Sequence, residues 1–307
     1  MKIRIIGNPV AGGARAAGIV TRLAEALSRR GAEASVYLTA AAGDARREAE
    51  RSSGQYDLIV ACGGDGTLNE VLNGLEPPDA TPLSVFPVGT ANIVARETGL
   101  APRIQRAADA YLESPVVAAD LPIARNGAGE ERRFLAVAGA GFDAMVTEEV
   151  TRSRKHRLGF RGYVSPVARV LRTYRAPELR VRIDGQDVGT GAFVVVSNTR
   201  NYGGLFSLCP KAELGDGRLN VLVWRGKSLL SLVSLFAFGF LGQTHRLSGT
   251  RHFTGQEIEI DSDRPVPIQI DGDSFGWTPL SIRLDPRGVR LLRRSKERSP
   301  SHPGDDS

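Results

Sequence analysis

The stretch Asp57-Leu58-Ile59-Val60-Ala61-Cys62-Gly63-Gly64-Asp65-Gly66-Thr67-Leu68-Asn69-Glu70 decides the fold. After Asp57, Leu58 to Cys62 is an apolar run of the length that makes a buried strand, and the glycine pair can turn the chain into a following helix. The same order occurs twice more. Lys2 to Gly7 leads into Asn8-Pro9-Val10-Ala11-Gly12-Gly13, and Leu83 to Phe86 leads into Pro87-Val88-Gly89-Thr90-Ala91-Asn92. Strands alternating with helices predict a parallel sheet with crossover helices, so all three loops emerge at the carboxyl edge, where such sheets bind ligands.

Glycine lets backbone N–H groups approach phosphate oxygens, and a helix N-terminus adds positive potential there. Three such loops together can cradle a nucleotide. None is a Walker A sequence, since no Gly-Lys-Ser/Thr follows, and none is Gly-x-Gly-x-x-Gly. Asp65 is the informative residue. A carboxylate in a phosphate-cradling loop repels phosphate unless it faces a cation or a nucleophilic hydroxyl, so its placement points to catalysis; the plainer alternative is a turn aspartate bonding its own backbone. Thr67 with Glu70 also fits a helix capping box.

Outward from these loops, Ile19, Val20, Leu23, Ala24 and Leu27 share a helical face closed by Gly31. Ala34 to Leu38 is strand-like, and Arg103 to Leu112 helical. From about Asp120 the texture changes to short strands with turn signals: Leu179 to Ile183 before Asp184-Gly185, Ala192 to Ser197, Leu219 to Trp224, Glu257 to Asp261, Pro267 to Ile270, Leu280 to Leu284 and Val289 to Leu292. Helices are expected at Tyr163 to Tyr174 and Ser228 to Leu241; the latter is too short to span a bilayer and reads as a core helix or an interfacial one. The polar tail from Ser295 is expected to be disordered.

The 307 residues favour about two domains, and a hydrophobic content of 41% excludes a wholly disordered chain. Cys62 and Cys209 lie far apart with no metal-ligand spacing, so they read as buried thiols of a cytosolic protein. The N-terminus begins at once with a strand and shows no signal-peptide pattern. A net charge of +6 permits attraction to nucleic acid, an anionic membrane or phosphorylated ligands. It concentrates in Arg152, Arg154, Lys155, Arg157 and Arg161, and in Arg290, Arg293, Arg294, Lys296 and Arg298; solvated surface is the simpler reading of both.

The run Gly63-Gly64-Asp65-Gly66-Thr67 with Asn69-Glu70-Val71 and Asn73-Gly74, after Asn8-Pro9 and before Pro87 to Asn92, resembles the diacylglycerol kinase catalytic family. That family includes soluble bacterial lipid kinases and the sphingosine and ceramide kinases. The resemblance continues through Gly139 to Ala144, Asn201-Tyr202-Gly203-Gly204, Pro210 to Leu219 and Asp271-Gly272-Asp273, nearly the whole chain. It implies an α/β N-terminal domain like that of the NAD kinases and phosphofructokinases over residues 1–120, rejoined by residues 286–294, and a mostly antiparallel β-sandwich over residues 121–285.

The resemblance further implies that ATP lies across Asn8, Gly12, Gly13, Thr39, Gly63, Gly64, Gly66, Thr67, Asn69, Glu70 and Thr90. Asp65, Asp271 and Asp273 would be catalytic, the last as general base, and Asp143 would contact the substrate. A structural Mg2+ would be held by Asp216 with groups at Glu213 and Arg218. On composition alone Gly215-Asp216-Gly217 is only a turn and Asp271-Gly272-Asp273 only a hairpin. The sequence departs from the family pattern at three positions: Asp273 stands where glutamate is usual, Ile93 where aspartate is common, and Lys211 where an acidic residue is frequent.

The expected activity is transfer of the γ-phosphoryl group of Mg-ATP to a lipid hydroxyl, most simply diacylglycerol, in the cytoplasm by a chain that visits the membrane surface peripherally. No nucleic-acid partner is expected, and a homodimer is left open. The alternatives are a nicotinamide-nucleotide kinase, which shares Gly-Gly-Asp-Gly-Thr, and a non-enzymatic lipid- or nucleotide-binding protein on the same scaffold.

Overall fold

The computed structural model describes all residues except 15, 153–160, 174, 227 and 295–307. Arg154, Lys155 and Arg157 of the first basic cluster, Lys296 and Arg298 of the second, and the tail from Ser295 therefore lie outside the described residues.

The N-terminal part alternates as the pattern requires: β1 (Lys2–Gly7), α1 (Ala11–Ala14), α2 (Ala16–Ser28), β2 (Glu33–Leu38), α3 (Asp44–Ser52), β3 (Leu58–Gly63), α4 (Asp65–Gly74), β4 (Leu83–Pro87), α5 (Ile93–Glu97) and α6 (Ile104–Glu113). Strands β2, β1, β3 and β4 pair in that order, all parallel. Every residue of β3 and β4 is buried, as expected of parallel strands covered on both faces. Val20, Leu23 and Leu27 of α2 pack into this core, while Ile19 is only partly buried.

Next come β5 (Val116–Arg125), β6 (Glu131–Arg133), β7 (Val137–Ala140), α7 (Phe142–Arg152), α8 (Arg161–Thr173), β8 (Leu179–Ile183), β9 (Gln186–Gly191), β10 (Phe193–Ser197), β11 (Leu219–Trp224), α9 (Leu229–Phe240), β12 (Thr250–Gly255), β13 (Glu257–Asp261), β14 (Pro267–Ile270), β15 (Asp273–Trp277) and β16 (Leu280–Leu292). Strands β12, β11, β10, β7, β14 and β15 form one antiparallel sheet. It packs against β8, β13 and the first half of β16 through a core that includes Val181, Val196, Val221, Ile258, Ile268 and Ile282. This is the expected sandwich.

Two expectations change. Leu280 to Leu284 and Val289 to Leu292 are one strand, carried past Pro286 by a bulge between Asp285 and Val289. A proline without an N–H is tolerated at such a bulge, which is why the break read from sequence is not a break in pairing. Thr67 and Glu70 do not form a capping box: α4 starts at Asp65 behind Gly64, no side chain caps it, and Glu70 instead accepts from the Gly43 N–H (3.0 Å).

The two parts share one sheet. β16 pairs parallel with β4 at Leu291–Leu83 and antiparallel with β13 and β5. Asn73 adds a second tie, accepting from the Arg133 N–H and donating to the Arg133 carbonyl, both at 2.9 Å.

Candidate active site

The three glycine-bearing loops leave the carboxyl ends of β1, β3 and β4 side by side. The Asn8 N–H donates to the Cys62 carbonyl (3.0 Å) and the Val88 N–H to the Gly63 carbonyl (2.9 Å), so each loop continues the ladder of its neighbour. Gly64 and Gly89 touch through their backbones: a Cβ built on Gly89 would stand 2.6 Å from the Gly64 Cα. No side chain fits between them. Gly12 lies against the Val88 carbonyl, and Asn8 closes its own loop by accepting from the Val10 N–H (3.1 Å).

The other nucleotide candidates fall around this edge in different ways. Gly13 is in α1, Thr39 follows β2 with its N–H on the Gly7 carbonyl, and Thr90 is exposed in the third loop. Gly66 is exposed in the first turn of α4, whereas Thr67 and Asn69 are buried, Asn69 accepting from Asn73 Nδ2 (2.7 Å). Glu70 is committed to Gly43, a supporting contact beside the loops.

Asp65 opens α4, yet its bond goes to another loop: Oδ1 accepts from the Ile93 N–H at 2.8 Å. Its own backbone N–H contributes as well, so the turn reading describes only part of its bonding. Burial raises the Asp65 carboxyl above the usual carboxylate range, opposed by backbone N–H groups of the third loop. The small cleft before it is lined by Asn69, Ile93, Leu135 and Ala136 and, from the sandwich, by Asp271.

Asp271 sits at a hairpin turn with φ 49°, followed by Gly272 at φ 86°, the left-handed pair that the Asp-Gly sequence favours. The residue is half-buried but its carboxylate turns inward. Oδ1 accepts from Ala136 (3.0 Å) and Val137 (2.9 Å), and Oδ2 from Leu135 (3.2 Å). Burial pushes its carboxyl up to about 7 despite these three donors, and the charge of Asp65 adds to the rise. Asp273, two residues on, is exposed at the start of β15 and does not line the cleft beside Asp65.

Asp143 is buried rather than open to a substrate. Tyr202 Oη donates to its Oδ2 (2.6 Å), Gln269 Nε2 donates to the same oxygen (2.9 Å), and the Ala144 N–H reaches Oδ1 (2.6 Å). Burial raises its carboxyl to about 6 against these donors. Gln269 then accepts, through Oε1, from the Gly272 N–H (2.9 Å), which joins Asp143 to the hairpin of Asp271 and Asp273. Gln269 escaped sequence reading because nothing local marks a strand glutamine as a link across 126 residues.

The predicted metal loop is arranged around a residue that sequence reading missed. Asp120 Oδ2 accepts from the N–H groups of Gly215 (3.0 Å) and Gly217 (2.9 Å). Asp216 accepts from its own Arg218 N–H (3.0 Å), and Glu213 is ion-paired with Arg200. Glu213 therefore has its carboxylate engaged elsewhere, and a guanidinium has no lone pair for a metal, so both Glu213 and Arg218 could ligate only through carbonyls. Asp120 is raised by burial first and by the nearby Asp216 charge as well. A carboxylate pair with surrounding carbonyls fits a hard divalent cation in its chemistry.

Residues 2–122 match the family model for the diacylglycerol kinase catalytic domain, and residues 136–293 match the YegS C-terminal NAD kinase beta sandwich-like domain. The chain belongs to the diacylglycerol kinase catalytic family. It is 29% identical to a diacylglycerol kinase of Bacillus subtilis (strain 168) over 283 residues, 91% of each chain. A diacylglycerol kinase of Staphylococcus haemolyticus is 30% identical over 91% of this chain and 84% of its own. The fold matches the crystal structure of a diacylglycerol kinase from Bacillus anthracis with a TM-score of 0.77, covering 95% and 96% of the two chains at 24% identity. Membership in a diacylglycerol kinase family makes the chain an enzyme that transfers phosphate to an alcohol, and implies use of ATP.

Proposed function

We propose that the chain phosphorylates a lipid hydroxyl, of diacylglycerol or a closely related lipid, with the γ-phosphoryl group of Mg-ATP. The observation that carries this is the convergence of Asp65 and Asp271 on one cleft between the starts of α4 and α5, which follow the second and third glycine loops. Nucleotide phosphates placed on those loops meet the N-terminus of α4 and backbone N–H groups that only glycine leaves open.

Asp65 and Asp271 are both raised above the ordinary range in the protein alone. Two such carboxylates facing one cleft are relieved by a divalent cation, which fits Mg2+ arriving with the nucleotide. Among the described residues no cluster of three or more His, Cys, Asp or Glu side chains forms a metal cage, consistent with an ion that takes most of its ligands from phosphate and water. When bound, Mg2+ would neutralise charge on the transferring phosphoryl group. The protein's own part is to align the acceptor and take its proton. Asp273, two residues along the hairpin from Asp271, receives the proton of the lipid hydroxyl as its oxygen bonds to the γ-phosphorus and the bond to the β-phosphate oxygen breaks to release ADP, and passes that proton to water.

The acceptor's acyl chains keep it in the bilayer, since each exposed methylene costs about 0.8 kcal/mol, so the enzyme must work at a membrane surface. No helix among the described residues is long and apolar enough to cross a membrane. The names of the relatives favour a lipid over a nicotinamide nucleotide as acceptor. The deciding experiment is transfer of labelled phosphate from ATP into a total lipid extract, with the product identified. Label in NADP+ instead, or in no product, sinks the proposal.

A further inference from the structure

Helix α9 is apolar on both long faces. Leu232 and Leu235 enter the core against the antiparallel sheet, beside Phe193 and Trp224. On the opposite side Leu230, Val233, Phe240 and Leu241 are 77%, 55%, 67% and 64% exposed. At helical spacing these four, with exposed Ala237, fall within an arc of about 100°. No charged residue occurs from Ser228 to Thr244. A helix on a water-facing surface carries charge on its outer side, and this one carries none.

The strip continues into the loop that touches the third glycine loop and α5. Leu205 is 51% exposed, the Ser207 N–H holds the Gly239 carbonyl (2.8 Å), and Phe206 packs edge-on against Phe236 (5.3 Å between ring centres). In the same loop Gly204 lies against Ala91 of the third glycine loop, and Asn201 donates to Glu97 of α5 (2.7 Å). The apolar strip thus ends beside the cleft. Around its C-terminal end stand exposed Lys211, His245 and Arg246; Lys211 and His245 lie near enough to His252 to help burial hold it below its ordinary value.

We infer that the outer face of α9, with Leu205, is the surface that docks on an anionic bilayer and brings the lipid acceptor to the cleft. This rests on the lipid-kinase reading. An apolar strip bordered by cations matches a membrane whose anionic headgroups overlie an apolar interior. A second copy packed on the same face would bring the Lys211 and Arg246 groups of two chains together and cover the Leu205 end, where the acceptor must pass.

The test is flotation of the full chain with vesicles of phosphatidylcholine and phosphatidylglycerol, which needs no turnover. Val233→Glu, Phe240→Glu and Leu241→Glu together should weaken vesicle binding at least about tenfold, with an unchanged melting temperature and unchanged phosphorylation of a short-chain soluble diacylglycerol. As a check independent of the charged variants, Phe240→Cys carrying a polarity-sensitive fluorophore should shift to the blue on vesicles; Cys62 and Cys209 are buried and stay unlabelled. Unchanged flotation, or no spectral shift, overturns the inference. So does a wild-type dimer that the triple variant breaks while vesicle binding persists, an outcome that assigns the face to a second copy. If the wild type phosphorylates no diacylglycerol, short or long, the lipid-kinase reading fails, and flotation still decides the face.

Discussion

The side-chain amide of Gln269 spans from Asp143 to the hairpin that carries Asp271 and Asp273, donating at one end and accepting at the other, each at 2.9 Å. Only one orientation of the amide satisfies both partners. Gln269→Leu should therefore loosen the hairpin and lower kcat about tenfold while leaving the ATP KM near wild type. Gln269→Glu puts a second carboxylate against Asp143 and should be worse at pH 8 than at pH 5. Equal pH profiles for the two variants would reduce Gln269 to plain packing.

Asp143 gives the stability of the fold a pH dependence of known sign. Its carboxyl is raised to about 6 in the folded chain, above the unfolded value of 3.8, so unfolding releases a proton between those values. The contribution is full below pH about 4 and lost as pH rises through 6. Relative to Asp143→Asn, wild type should lose on the order of 3 kcal/mol between pH 4 and 7 and little above that. Denaturant titrations of both proteins across this range check it; a difference that is flat or grows with pH contradicts the burial of a protonated carboxyl.

Asp65, Asp271 and Asp273 should separate by kinetics. Asp65→Asn keeps the acceptor for the Ile93 N–H and should reduce turnover beyond a hundredfold without unfolding; activity within about threefold of wild type, under about 0.7 kcal/mol of barrier, removes it from the mechanism. Asp273→Asn should cut kcat about a hundredfold with the ATP KM little changed, and Asp273→Glu should retain or raise activity. A silent Asp273→Asn takes Asp273 out of the proton's path and leaves Asp65 as the preferred acceptor.

In the loop around Asp216, Mg2+ should raise the melting temperature of wild type but not of Asp216→Ala, and the two should differ little in chelator. Equal shifts in both buffers leave a turn held by Asp120 alone.

The glycine loops offer a contrast within one motif. Gly89→Ala drives a Cβ to 2.6 Å from the Gly64 Cα and should lower the melting temperature by several degrees, about 1–3 kcal/mol, and raise the ATP KM. Gly66 has open space where its Cβ would be, so Gly66→Ala should melt within about a degree of wild type and affect only ATP binding. If both melt alike, the Gly64–Gly89 contact contributes nothing measurable.

What the sequence made legible was local. The strand-loop-helix junctions at Asn8, Gly63 and Pro87, and the Asp-Gly turns at residues 184 and 271, carry their conformations in adjacent residue types. Asp120 and Gln269 matter through contacts made 95 and 126 residues away, which no local pattern announces. The capping-box reading of Thr67 and Glu70 failed for a related reason: Glu70 is drawn to the Gly43 N–H, 27 residues away, rather than back to its own helix start.

The pairing of β16 with both β4 and β5 bears on how the chain is made. The strand beside β4 comes from residues near 291, almost the last described. As the chain leaves the ribosome, the sheet behind the glycine loops waits with an open edge until the whole sandwich has been synthesised. The two segments matched separately at 2–122 and 136–293 thus complete one sheet between them: a nascent chain stopped at residue 122 has all three glycine loops and lacks the strand that pairs with β4.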